Sequence, residues 1–346
     1  MNALLAILVP LSLFGVPDAG CKLSSSNARF FQSMLDDWAT ITGEIFRLPS
    51  REVPWIVLFD RGCGYYLASD TATALGRSLA PVPSARLAFA GMPVDVRTAP
   101  LADTVPLPNG SVVPVEGLAF TSVYERRAGA GAFFVTALPD VWAHDPRYAA
   151  DTTNGDEFVR GVLSHELVHT LQMVSIRDRM ERLVEQYPNL PAVLDDDLIQ
   201  RRFQPVAGVD SAMRVEIDLF YQAAAEPAAG RARQLGRDAL DHMSSRHARF
   251  YADSAAGYVG LEELYLNMEG VASWGAVQLA RRRSPRDSVA TVVDRIRDNR
   301  KWWSQEEGLA LYLLVDRFVP GWIGRTMPPE LASPVVLLRE ELSRSP

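Results

Sequence analysis

HELVHTLQ, residues 165–172, places two histidines four positions apart, with a glutamate directly after the first. Phe158, Val162, Leu163, Leu167 and Leu171 recur around it at helical spacing. Thr153-Asn154-Gly155-Asp156 ahead of it has capping-box spacing, and Glu157 adds acid to the first turn. The run is therefore expected inside a helix. Positions i and i+4 lie about 6 Å apart along a helix axis and on nearly the same face, so His165 and His169 can direct both imidazoles at one ion. Leu167 and Val168 point away from that face, as a buried helix requires. With five histidines and 18 glutamates in 346 residues, chance produces this pattern in only about four of a thousand such chains.

Zinc suits imidazole nitrogen, and a catalytic zinc site takes three protein ligands while leaving a position open for water. The ion lowers the pKa of that water to about 7 and polarises a carbonyl, which makes a nucleophile at neutral pH. Glu166 neighbours the first histidine and can reach the water without binding the metal, the position of a general base. Zn2+ is thus the cofactor that the spacing implies.

Outward from the motif, the chain changes character. Ahead of it lie short β-rich runs: PWIVLFD (54–60) and GYYLASD (64–70), broken by Arg61-Gly62, then VVPVEG within a Pro-, Gly- and Val-rich stretch (80–117). GLAFTSVY (117–124) and GAFFVTALP (131–139) bracket a turn-like linker and read as a hairpin. Before all of these, Phe31, Leu35, Trp38, Ile41 and Ile45 mark one amphipathic helix between Asn27 and Leu48, ended by Pro49. After Thr153 the pattern is helical almost to the end, with proline and glycine breaks. The expectation is an α+β protein: a signal segment at 1–20, an N-terminal helix with a mixed β-sheet at 21–150, and a mainly helical metal-binding part at 151–346.

Composition excludes several classes. A chain with 48% hydrophobic and 22% charged residues is an ordinary globular protein. A net charge of -7 argues against a nucleic-acid partner, which needs a clustered positive surface. The one basic cluster, Arg281 to Arg283, follows an apolar-periodic stretch and fits the last turn of a helix. ALLAILVPLSLFGV (3–16) is too short for a transmembrane helix and sits where an export signal would. The expected location is therefore periplasmic or extracellular, with no transmembrane helix in the mature chain. Cys21 and Cys63 carry two readings, of which a disulfide is preferred. The other is a lipid anchor at Cys21, because Ala19-Gly20-Cys21 resembles the end of a bacterial lipoprotein signal; Asp18 departs from that pattern.

HELVHTLQ, the β-rich GAFFVTALP before it and the Glu-Gly-x-Ala runs after it resemble the gluzincin branch of the zincin metallopeptidases, over about a third of the chain. The resemblance implies a zincin-like fold in which an edge strand ahead of the metal helix holds substrate backbone in extended form, with GAFFVTALP as that edge. It also implies a downstream glutamate as third ligand. Two segments match: Glu269-Gly270-Val271-Ala272 and Glu307-Gly308-Leu309-Ala310, whose small residues would allow close approach to the metal helix. Ser304 to Glu307 has capping-box spacing, which gives Glu307 a structural role. Glu269 lies between LEELYLNM and an apolar run through Trp274, Val277 and Leu279, on a helix expected to be buried, where a carboxylate must be paired or metal-bound. Glu269 is preferred, with Glu307, Glu226 and Glu262 as rivals. The acid that gluzincins like thermolysin carry four residues after the ligand glutamate is Ser273 here, so the partners of the histidines are left open. Gln172 and Ser175 exclude the metzincin pattern.

His242 and His247, in DHMSSRHARF, could stabilise an oxyanion but fit an exposed helix face better. Tyr258, Tyr265 and Tyr312 are equally arguable, Trp302-Trp303 fits a core, Asp195 to Asp197 fits a solvated loop, and Ser164 lacks a nucleophile elbow. The leading expectation is zinc-dependent hydrolysis of peptide bonds in a peptide or protein substrate, endo- or aminopeptidase undecided. The competing expectations are a zincin-fold binding or scaffold protein without turnover, which intact Glu166 disfavours, and a zinc hydrolase acting on another bond.

Overall fold

The computed structural model describes residues 21–48, 53–68, 82–101, 103–115, 118–126, 129–145, 155–297 and 302–344. The N-terminal segment 1–20 and the capping residues Thr153 and Asn154 lie outside them. The chain divides into two compact units, with the boundary between Val174 and Ser175.

The first unit opens with α1 (Ser25–Thr40), which runs on into a π-helical turn at Ile41–Ile45. Ser24 caps it by accepting a hydrogen bond from the Asn27 N–H. Phe31, Leu35, Trp38, Ile41 and Ile45 are all buried, so the apolar stripe read from the sequence is the packed face. The strands follow: β1 (Trp55–Phe59), β2 (Cys63–Ala68), β3 (Val82–Phe89), β4 (Met92–Pro100), β5 (Thr104–Pro106), β6 (Val112–Pro114), β7 (Ala119–Arg126) and β8 (Gly129–Ala137). Among the described residues, six of them form one sheet in the order β3-β4-β2-β1-β8-β7, and β5 pairs with β6.

Every residue of β1 is buried, as expected of a continuous apolar run covered on both faces. It pairs antiparallel with β2 and parallel with β8. The turn between β1 and β2 is held by the Asp60 carboxylate, which accepts from the Gly62 and Cys63 N–H groups and the Tyr65 hydroxyl. Cys21 and Cys63 are joined as a disulfide, with a Cα–Cα distance of 5.7 Å. The β7–β8 hairpin is present in full register, from Ala119 opposite Thr136 to Arg126 opposite Gly129.

One expectation changes here. GAFFVTALP, expected at the sheet edge, is interior: β8 has β1 on one side and β7 on the other. Among the described residues, the outer strand on this side is β7. At the opposite outer strand, β3, one position is covered by a side chain. The Gln32 side chain of α1 donates to the Ala88 carbonyl and accepts from the Ala88 N–H, at 2.8 and 3.0 Å, which satisfies edge groups that would otherwise template another strand.

A short helix, α2 (Pro139–Trp142), leads toward α3 (Gly155–Gln186), which carries HELVHTLQ and contains the unit boundary. The second unit is helical: α4 (Leu198–Phe203), α5 (Val209–Ala225), α6 (Ala229–Phe250), α7 (Gly257–Arg283), α8 (Val289–Ile296), α9 (Trp303–Phe318), α10 (Ile323–Thr326) and α11 (Pro334–Ser343). Arg281 to Arg283 do form the last turn of α7. α5 packs on α6, and α9 packs on α5, α7 and α11.

α7 and α9 meet at their twin Glu-Gly-x-Ala segments. A Cβ on Gly270 would lie 2.6 Å from the Gly308 carbonyl oxygen and 2.4 Å from the Tyr312 ring; one on Gly308 would lie 2.8 Å from the Gly270 nitrogen. The glycines thus serve the contact between these two helices. This explains why the signature occurs twice. A β-sheet region followed by a largely helical region, with HELVHTLQ inside a helix, is an α+β arrangement of the zincin-like kind.

Candidate metal centre

His165 and His169 stand one turn apart on α3, where Leu163, Leu167 and Val168 are buried and hold the helix in place. His169 is buried and His165 half-buried. Their Nε2 atoms face each other at 2.9 Å and their rings are perpendicular. Two nitrogens bound near 2.05 Å to a tetrahedral ion stand about 3.3 Å apart, so the pair is already close to a two-ligand geometry. Glu269 of α7 is 1% exposed. Ligand atoms of His165, His169 and Glu269 all lie within 4.8 Å of one another. Two imidazole nitrogens and one carboxylate oxygen form a donor set suited to zinc. A His-Glu-x-x-His motif with a downstream glutamate, gathered in this way, is consistent with a gluzincin-type metallopeptidase site.

Two neighbours were not read from the sequence. Gln172, fully buried, places its Oε1 3.4 Å from the Nδ1 of His169. A proton on Nδ1 pointing at that oxygen puts the ring lone pair on Nε2, the tautomer a ligand needs. In the sequence alone, Gln172 serves only to exclude the metzincin pattern. Thr121 of β7 donates its hydroxyl to the Oε2 of Glu166 and also lies 3.4 Å from the Glu166 carbonyl oxygen. A lone threonine within a strand carries no pattern that would have flagged it.

The rival acids are placed elsewhere. Glu307 is fully buried, but not as a helix cap: α9 starts at Trp303 after Trp302 and has no side-chain cap. Glu307 belongs to a second acidic cluster with Glu216 and Glu262, whose carboxylate oxygens also lie within 4.8 Å of one another. Arg246 fills the middle. Its Nε and Nη2 donate to Glu216 at 3.0 and 2.7 Å, and its Nη1 and Nη2 donate to Glu262 at 2.9 and 2.7 Å. His247 Nε2 lies 2.7 Å from Glu262, and the Tyr251 hydroxyl donates to Glu262 at 2.7 Å. His247 is therefore bonded inward rather than part of a plain exposed face, whereas His242 is exposed. Glu226 accepts from the Ala228 N–H at the end of α5.

Charge separates the members of this second cluster. Burial pushes the Glu262 carboxyl up, but the charges of Arg246 and His247 and their hydrogen bonds overcome it and hold the group well below the usual range. Burial also raises Glu307, the neighbouring Glu216 raises it further, and Arg246, 3.8 Å away, does not compensate. Neither Glu307 oxygen receives a hydrogen bond among the described residues. A carboxyl pushed up beside a carboxylate is an acid that keeps its proton and can share it with Glu216.

No protein-family profile, curated protein or solved structure matches the chain. Among the described residues no helix is long and apolar enough to cross a membrane.

Proposed function

We propose that the chain is an exported zinc-dependent peptidase. The observation that carries this reading is the gathering of His165, His169 and Glu269 ligand atoms within 4.8 Å, with a non-ligating carboxylate, Glu166, one residue from the first histidine. His165, His169 and Glu269 would hold the ion. Zinc bound there supplies Lewis acidity to a carbonyl oxygen and to a water. Glu166 takes the proton of the attacking water on a carboxylate oxygen and delivers it to the departing amine, so that water and peptide become acid and amine.

Peptide as substrate is favoured by β7, an outer strand of the sheet among the described residues, next to Glu166 through Thr121. An extended peptide can add to such an edge by main-chain hydrogen bonds. Export is favoured by the Cys21–Cys63 disulfide, a bond that persists in oxidising compartments.

The test is metal analysis joined to cleavage of a peptide library. Wild type is expected to hold about one zinc per chain and to cleave. Glu166→Ala is expected to keep the zinc and lose cleavage, because the base is not a ligand. Full hydrolysis by Glu166→Ala rejects the mechanism, and a wild type that holds zinc yet cleaves no library peptide rejects peptide hydrolysis in favour of a zinc-binding scaffold or a zinc hydrolase acting on another bond.

A further inference from the structure

The Glu166 side chain has three rotatable bonds, and fixing such a chain costs up to about 2 kcal/mol of rotamer freedom. A base that must meet a water in one orientation gains from any group that carries this cost beforehand. Thr121 is placed to do so. Its backbone is locked into the β7–β8 ladder opposite Phe134, its side chain is branched at Cβ and stiff at χ1, and it is 5% exposed. Phe120, the neighbour pointing to the other face of the sheet, packs edge-on against Phe133 with ring centroids 6.0 Å apart. The strand is thus anchored on both faces. The hydroxyl proton goes to Oε2 of Glu166, while the Glu166 carbonyl lies 3.4 Å from the same hydroxyl.

The geometry points to Thr121 as a positioning residue for Glu166: the edge strand holds one carboxylate oxygen, Oε2, and leaves Oε1 to exchange the proton. This rests on the peptidase reading of the site. It gives the edge strand a second task beside offering its backbone to substrate. One strand would align both the base and the bond it acts on, so that a shift of β7 would move the two together.

The experiment compares wild type, Thr121→Val, which keeps the shape and removes the hydroxyl, and Thr121→Ser, which keeps the hydroxyl. Zinc content, kcat and KM are measured on one library-derived peptide. In parallel, the 13C carboxyl resonance of Glu166 is followed at fixed pH in metal-free protein, assigned by its loss in Glu166→Gln. Thr121→Val is expected to hold wild-type zinc and bind peptide with KM little changed, while kcat falls on the order of tenfold to a hundredfold. Its Glu166 resonance should move. Thr121→Ser should restore kcat to within about threefold of wild type and restore the resonance. A Thr121→Val enzyme with wild-type kcat, or a loss that serine does not recover, overturns the assignment. An unmoved Glu166 resonance also overturns it, and this readout stands even if wild type cleaves nothing. Failure of the peptidase reading itself shows separately, as a zinc-loaded wild type without activity.

Discussion

Two acid-bearing clusters share helix α7, and they resolve the charge of a buried carboxylate in different ways. Glu262 and Glu269 are seven residues apart on α7, two turns and about 10 Å along its axis, on the same face. Glu269 has a carboxylate oxygen within 4.8 Å of a ring nitrogen of each of His165 and His169. Glu262 meets a guanidinium, held by Glu216 on the other side. Both acids are buried, so burial alone does not distinguish a candidate ligand from an ion-pair member. The donor set does: nitrogen lone pairs beside a carboxylate ask for a metal, whereas carboxylates around Arg246 already contain their cation. The twin Glu-Gly-x-Ala segments sharpen the point. Their glycines do the same work at the α7–α9 contact, and their glutamates do different work because different side chains face them.

The comparison breaks most directly at the two glutamates. Glu269→Gln is expected to lose zinc on dialysis against a weak chelator and to lose cleavage by on the order of a thousandfold or more. Glu307→Gln should keep both. Metal analysis of the two variants decides it, and the reverse outcome would move the third ligand from α7 to α9.

Arg246→Met tests the other cluster. Removing the cation leaves Glu216 and Glu262 buried without their partner, and breaking such a buried network costs about 3–5 kcal/mol. Urea unfolding at pH 7 should show a loss of that size. A loss below about 1 kcal/mol, the range of an exposed pair, would mean that water reaches these carboxylates.

Much of this contrast was legible in the sequence, and its limits have physical causes. HELVHT declared its helix and the shared face of His165 and His169 because both signals are local: a four-residue spacing and an apolar period. Glu269 stood out as an acid within an apolar run. What was missed depends on partners far away in the chain. Arg246 sits in a polar stretch that reads as solvated, and it is buried only because Glu216, 30 residues back, and Glu262, 16 ahead, fold onto it. The interior place of β8 depends on its parallel partner β1, more than 70 residues earlier, while the adjacent hairpin strand was recognisable from the intervening turn. Ser304 to Glu307 matched a capping box by spacing, but the helix starts before it at Trp303, so spacing without a helix start misassigned Glu307. Thr121 reaches Glu166 across 45 residues, and no short-range pattern encodes that contact.

The smallest expected effect separates the acids within the second cluster by pH. Glu307 faces Glu216 from α5, Arg246 from α6 and Glu262 from α7. Its carboxyl is pushed above the ordinary value near 4.5 by burial and then by Glu216. A raised acid binds its proton more tightly in the folded chain. Its contribution to stability is therefore complete below about pH 4.5 and is lost as pH rises toward the folded value, because the unfolded chain ionises first. Glu262 has the opposite sign: its carboxyl is held down, so its contribution is present above that pH and fades on acidification. Glu307→Gln removes the first titration and leaves an amide that can donate to Glu216 as the protonated acid does. Between pH 5 and 6 the stability of Glu307→Gln relative to wild type should therefore rise, by up to about 1.4 kcal/mol for one proton per pH unit. Urea unfolding of the two at pH 5.0, 5.5 and 6.0, within about this one-unit window, measures the slope. A constant difference would show that Glu307 ionises like an ordinary carboxyl, and that Arg246 holds three charges rather than two.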